Sequence, residues 1–300
     1  MRAEQEEWRC GGVRWQAAGP SLVWLHSAHG ERSTPLPAGR PVAFTTGAAR
    51  RCVGIRRAGR RTPCPAGAEV AAAAVSAQCA ECARLDRSHS VAADTALDDP
   101  RPYDVYLAWS VPGAVKVGIT AAERQGVRLL EQAALSYALL GRGPLMAARR
   151  AEAVLGAALS APDRIPYAAK RAARCPAPGR ELRTAELAAL HAQACGLGTL
   201  PESLTVLPFA PVHHDEAFHL DRLRPGWGTA VPAPGRTIAG TVAAVAGPDL
   251  YLDTTDGRQL LVDARQLAGW PLTAAAPEAE TTADVRTQPP PAPTGPEALF

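Results

Sequence analysis

The chain has 300 residues, with 32 Lys and Arg against 29 Asp and Glu, a net charge of +3, and a hydrophobic content of 47% that is poor in aromatics. That length suits about two domains, or one with decorations, and the near balance of charge excludes a polycation that coats nucleic acid with its whole surface. No apolar run reaches the roughly 18 residues of a membrane-spanning helix. The acidic start MRAEQEEWRC also lacks the basic and then apolar stretches of a secretory leader, so a cytoplasmic protein is expected. In a reducing compartment seven cysteines do not make a disulfide framework.

Residues 1–83 read as a β-rich segment. Strand-like alternation at Val13-Arg14-Trp15, Leu22-Val23-Trp24-Leu25 and Pro41-Val42-Ala43-Phe44 predicts a small antiparallel sheet. Six arginines follow closely (Arg50, Arg51, Arg56, Arg57, Arg60 and Arg61), with no acid before Cys64, a local patch that attracts phosphate whatever the net charge. Cys52, Cys64, Cys79 and Cys82 interleave with this patch, and Cys79-Ala-Glu-Cys82 is a CxxC pair. Four thiolates suit one tetrahedral zinc, and a metal would hold together a stretch with few large apolar residues. Asp86 and His89 follow, and His89 is a substitute ligand for one thiol. Residues 84–102 are polar and end in Pro-flanked acids, which reads as a linker.

Residues 103–200 open on YDVYLAWSVPGAVKVGITAAERQGVR, an alternating run, a Pro112-Gly113 turn and a second alternating run: a hairpin feeding a helix. Apolar spacing predicts helices over 121–140, 145–159 and 181–194. The hairpin carries Lys116, and the only other lysine is Lys170. In a chain that otherwise uses arginine, a strand lysine suggests a point charge is wanted there. Residues 201–270 give a strand near 203–209 and a β-meander over 236–263. The run from Val212 to His219 (VHHDEAFH) is rich in metal-ligand types but reads as a loop. Residues 271–300, rich in proline and small polar residues, read as a disordered tail.

The run from Tyr106 to Glu152 resembles the GIY-YIG nuclease superfamily. Val105-Tyr106-Leu107 stands where that family has its first motif, and Lys116-Val117-Gly118 stands in the second with a lysine in place of tyrosine. An arginine on the following helix, Arg128 or Arg124, and Glu152 on a later helix complete the resemblance. The wider layout, a cysteine element, then VYLA…KVGIT…R…EQ-A, then a β-piece, also resembles an uncharacterised bacterial family, domain of unknown function 2797. The first resemblance implies a catalytic set of Tyr106, Lys116, Arg128 and Glu152, with Mg²⁺ on the carboxylate and phosphodiester hydrolysis as the reaction. The chemistry agrees: Glu152 can hold Mg²⁺, Arg128 can fork onto a phosphate oxygen, Lys116 can neutralise charge, and Tyr106 can act as a base if its pKa is lowered.

The expected architecture is therefore α+β: an N-terminal antiparallel segment with a four-cysteine zinc element, a central GIY-YIG-like hairpin with helices, and a small C-terminal meander. The expected function is nucleic-acid binding through the arginine patch and Arg124, with structural Zn, and with Mg²⁺-dependent cleavage ranked second. The competing expectation is a catalytically inactive scaffold that makes protein contacts.

Overall fold

Alternating apolar residues build the first sheet. In the computed structural model, which describes residues 7–57, 60–88, 99–162, 164–276 and 278–287, β1 (Arg9–Gln16), β2 (Gly19–His26) and β3 (Gly30–Pro35) form an antiparallel meander. Trp15 and Leu22 join the main core, and Leu25 is buried on the opposite face of β2. The Trp15 indole N–H donates to the Gly247 carbonyl at 2.8 Å, which anchors the meander on a turn far along the chain. Next come β4 (Pro41–Thr46), a two-stranded ribbon of β5 (Ile55–Arg57) and β6 (Arg60–Thr62), and α1 (Ala80–Ser88).

The expected hairpin forms as β7 (Pro102–Val111) and β8 (Ala114–Ala121), with Gly113 at φ 72° in the turn. The helix expected over 121–140 is corrected. A 3₁₀ turn at Ala122–Arg124 is broken by Gln125 and Gly126, at φ 42° and 82°, and only α2 (Val127–Glu131) is α-helical. Ser136–Pro144 is a strand, β9, paired antiparallel with β7 on the side away from β8. The unpaired edge of β7 offers a full ladder of backbone hydrogen bonds, and that tertiary gain outweighs a weak helical period.

After β9 come α3 (Leu145–Ala158), a short α4 (Tyr167–Ala172) that the sequence reading missed, and α5 (Arg180–Gly196). Two short strands, β10 (Thr205–Val206) and β11 (Pro211–His213), both add to the outer side of β9, and α6 (Asp215–Phe218) follows. The sheet order is β10-β9-β7-β8, so β8 is an outer strand.

The last sheet contains β12 (Gly228–Val231), β13 (Thr237–Ala246), β14 (Asp249–Asp253) and β15 (Gln259–Asp263); α7 (Ala264–Leu267) precedes β16 (Leu272–Ala274) and β17 (Asp284–Thr287). Its order is β16-β4-β13-β14-β15-β12-β17, antiparallel throughout except for the β12–β15 pair. The fold class is thus mixed α+β, with mostly strands and largely antiparallel sheets.

Strand pairing crosses the boundaries drawn from sequence. β4, from the 1–83 segment, is an inner strand of the C-terminal sheet. The tail expected from 271 onward carries β16 and β17, because sheet edges supply ladder partners that local composition does not reveal. Residues 288–300 lie outside the described residues. The expected linker begins inside α1, and its stretch 89–98 lies outside the described residues. Among the described residues no helix is long and apolar enough to cross a membrane.

β7 divides two packing environments. Val105, Leu107 and Trp109 face the main core with Ala148, Ala151 and Leu155 of α3 and Leu187 of α5. Tyr106 and Ala108 face the other way, onto Leu129 and Ala134. Buried charges join the layers. Arg171 and Arg174, at and just beyond the end of α4, reach Asp249 of β14 at 2.6 Å each, and Arg171 also reaches Asp263 at 2.7 Å.

Arg50 is 1% exposed. Its guanidinium donates to the main-chain carbonyls of Ala268 (2.8 Å), Arg265 (2.8 Å), Ala71 (3.0 Å) and Ala74 (2.5 Å), which pins the cysteine segment to α7. Arg50→Met leaves those buried carbonyls without a donor, at about 1–3 kcal/mol for each that water does not reach. We expect a loss of about 3 kcal/mol or more in urea unfolding, whereas Arg60→Met, at an exposed site, should change stability by less than about 0.5 kcal/mol. Equal effects of the two substitutions would contradict the anchoring role.

Candidate metal centre and the Tyr106 cluster

Three backbone features bring the cysteines together. Cys52 leaves Arg50-Arg51 with its N–H on Ala68 O (2.8 Å), and Gly54, at φ 79°, turns so tightly that a Cβ there would lie 2.1 Å from Thr62 O. Cys64 starts a turn closed by Gly67 N–H at 3.1 Å. Cys79 and Cys82 flank the start of α1. Backbone N–H groups of Gly54 and Cys79 point at Cys52 Sγ, at 3.4 and 3.2 Å.

The four Sγ atoms all lie within 4.8 Å of one another, and Cys64 and Cys79 are 3.9 Å apart. A tetrahedral thiolate site with metal–sulfur bonds of about 2.3 Å needs sulfurs about 3.8 Å apart, so the donor set fits a metal ion in chemistry and in spacing. Burial pushes the Cys52 and Cys82 thiols up. Cys64 is also raised by burial, but the Ala68 and Ala66 N–H groups and neighbouring thiols outweigh this and bring it down to about 7. The apolar cluster around the site is small, with Val70 and Ile55 among alanines and the cysteines themselves, so side-chain packing alone supplies little cohesion.

Among the described residues this is the one group of three or more His, Cys, Asp or Glu close enough to share a metal. His89 lies outside the described residues. The histidine-rich run is used for packing instead: His214 Nδ1 meets Ala134 O at 2.7 Å, His213 bonds Ser136 at 2.8 Å, and Asp215 pairs with Arg183 at 2.6 Å.

The arginine patch is not one surface. Arg50 is corrected: buried and committed to carbonyls, it has no face to offer a phosphate. Arg51 donates to Gly67 O at 3.2 Å and Arg61 to Val53 O at 2.8 Å. Arg60 is exposed on the ribbon opposite Arg57, whose side chain lies outside the described residues. Arg56 binds Glu31 through both carboxylate oxygens at 2.8 Å. With Arg14, which the sequence reading missed, Arg56 lines a groove of about 1,010 Å³ whose other wall carries Arg124 and Glu131. Arg124 pairs with Glu131 at 2.7 Å, and Arg128 approaches the same carboxylate at 3.6 Å.

Register explains the second cluster. Tyr106 stands opposite Gly118 and Ala108 opposite Lys116, so Tyr106 and Lys116 share one face of the hairpin. Gly118 is there for room: a Cβ would lie 2.4 Å from the Tyr106 oxygen. Glu152 comes from α3, past the outer edge of β8, and lines a cleft of about 550 Å³ with Lys116 and Arg149. Tyr106 is 2% exposed and accepts a hydrogen bond from Gln132 Nε2 at 2.9 Å. Burial pushes its phenol up; Gln132 and Arg128 oppose this, and Glu152 adds to it. Arg128 and Glu152 thus each bear on the phenol, with opposite sign, and Lys116 shares the cleft of Glu152. Burial therefore favours the protonated phenol, which runs against the lowered pKa that the expected general-base role requires.

Sequence reasoning missed Gln132 and Lys170. Lys170 is largely buried, and its Nζ donates to Gln132 O at 2.9 Å and lies 5.3 Å from the centre of the Tyr167 ring. Burial first, then Arg174, Lys116, Arg128 and Arg265, push its amine down to about 8 from 10.5. The one available signal was its rarity.

An amine whose folded pKa lies below its unfolded value opposes folding while it is charged. That penalty is full below about pH 8 and is shed as pH rises toward 10.5. Wild type should therefore gain stability relative to Lys170→Met across this window. Unfolding free energies of the two proteins measured at several pH values check it, and parallel curves would contradict it.

No curated protein and no solved structure matches the chain. A family model does, over residues 39–272, which take in the cysteine centre, the Tyr106 cluster and β12 to β15. By that match the chain belongs to the family described as "Protein of unknown function (DUF2797)".

Proposed function

We propose that the protein binds nucleic acid, with a zinc ion holding its cysteine element and a phosphodiester received at the Tyr106 cluster. The observation that carries this reading is that Tyr106 and Lys116 share one face of the hairpin, that Lys116 and Glu152 line one cleft, and that three arginines edge a groove whose Glu131 also approaches Arg128. Glu131 touches both Arg124 on the groove and Arg128 at the phenol, so a strand lying in the groove comes close to the cluster. Arg56 and Arg124 are held by carboxylates yet remain 43% and 37% exposed in their side chains. Exposed pairs of this kind are worth only about 0–1 kcal/mol, so exchanging a carboxylate for a phosphate costs little.

The donor set around Tyr106 resembles that of GIY-YIG nucleases, and hydrolysis is the reaction it supports. Arg128 and Lys116 neutralise the phosphoryl oxygens, and the protonated phenol of Tyr106 donates to one of them. A Mg²⁺ ion held by Glu152 and waters would polarise the phosphoryl group and activate a water. For the cysteine centre, four thiolates and tetrahedral spacing favour Zn²⁺.

Elemental analysis is expected to find about one zinc per chain, lost together with much of the thermal stability in Cys79→Ser. A folded wild-type protein free of metal would overturn the zinc assignment.

Affinity for a single-stranded or duplex oligonucleotide should fall steeply with salt. Replacing both Arg56 and Arg124 by Ala should flatten the log–log slope by about 1.4–1.8, two contacts' worth. Glu152→Ala should abolish Mg²⁺-dependent nicking and leave binding intact. Salt-independent or absent binding would favour the scaffold reading, and binding without nicking in wild type would retire hydrolysis alone.

A further inference from the structure

One side chain joins the Tyr106 cluster to the C-terminal half of the molecule, and the phosphodiester reading does not use it. Lys170 sits on α4, 8% exposed, with its Nζ on the Gln132 carbonyl at 2.9 Å. The Gln132 side chain donates in turn through Nε2 to the Tyr106 oxygen at 2.9 Å. Gln132 follows the last turn of α2, and the next residue, Ala133, is held at φ 55°. An alanine takes that conformation only where its surroundings impose it. The Gln132 peptide is thus gripped on its carbonyl side by an ammonium while its amide is received by a phenol. The grip is firm because the adjacent Arg171 is tied to Asp249 and Asp263, so the short helix that carries Lys170 is bolted to the neighbouring sheet.

A phenol has two lone pairs and one proton. Gln132 fills one lone pair, and the Arg128 guanidinium bears on the same oxygen. What Tyr106 has left to give is its proton. We propose that Lys170 is the positioning residue of Tyr106: by fixing Gln132 as a donor to the phenol oxygen, it directs the phenolic proton toward a phosphate oxygen received on the hairpin face that Tyr106 shares with Lys116. The identity of the acceptor rests on the phosphodiester reading. The orientation of the hydroxyl is a property of the free protein and is tested separately.

The full chain, labelled with 3-fluorotyrosine to bring phenol ionisation into an accessible pH range, reports Tyr106 by ¹⁹F resonance, assigned through Tyr106→Phe. Losing the Gln132 donor destabilises the phenolate, so Gln132→Leu and Lys170→Met should each raise the Tyr106 titration by about one unit. Gln132→Glu, of the same length but able only to accept at neutral pH, should raise it further. In a Gln132→Leu background, Lys170→Met should add nothing, because its effect passes through Gln132. Each single variant should also weaken oligonucleotide binding about tenfold.

The proposal is overturned if Lys170→Met leaves the Tyr106 resonance unmoved, or moves it equally with and without Gln132. If Lys170→Met does not fold, an unshifted Tyr106 titration in Gln132→Glu overturns it instead. Should the titrations shift as expected while wild type binds no oligonucleotide, the positioning role stands and the phosphodiester reading fails.

Discussion

Asp263 is bonded from two directions, and much of the molecule is arranged around it. It caps α7 by accepting the Arg265 N–H at 3.0 Å, takes the Arg265 side chain at 2.6 Å, and takes Arg171 of α4 at 2.7 Å. Burial pushes its carboxyl up, but the Arg265 and Arg171 guanidinium groups outweigh this and hold it below the usual carboxylate range. Arg265 also lies 3.9 Å over the Tyr167 ring, so one ion pair orients two aromatic and helical neighbours. Desolvating such a cluster is costly, and apolar replacements of similar volume are often as stable. What the charges supply is direction: an arginine fork accepts few geometries, and α4 and α7 are too short to be placed by packing alone.

The cysteine element obeys the same logic in a different chemistry. Its apolar cluster is made of small residues, and its cohesion comes from four converging sulfurs and from Arg50, which spends its guanidinium on carbonyls of both the element and α7. The groove beside it has one wall from β1, through Arg14 and Trp15, and that strand precedes the residues the family model matches. The groove is thus assembled from a part shared with the family and a part outside the matched span.

What was legible in the sequence was periodic or chemically explicit. The hairpin showed as alternation around Pro112-Gly113, the meander over 236–263 showed through its turns, and the four cysteines showed through residue type and a CxxC. Features decided by partners distant in the chain were not legible. Ser136–Pro144 carries a helix-compatible pattern and becomes a strand because β7 has an open edge beside it. β17 exists through its pairing with β12. Arg50 looks like its five arginine neighbours in the sequence, and only the fold reveals that carbonyls from Ala71, Ala74, Arg265 and Ala268 close around it. Likewise Gln132 is an ordinary polar residue until Tyr106 and Lys170 arrive on either side of it.

Lys170 and Arg171 are successive residues whose heads serve different layers, one the α2–β9 corner and the other the carboxylates of the last sheet. Successive positions on an α-helix are rotated by about 100°, so this division of labour depends on phase. Inserting or deleting a single residue inside Tyr167–Ala172 would swing the guanidinium off its carboxylates and the ammonium off its carbonyl at once. Drift in the length of this short crossbar is therefore forbidden by geometry, however freely the identities of its exposed alanines vary.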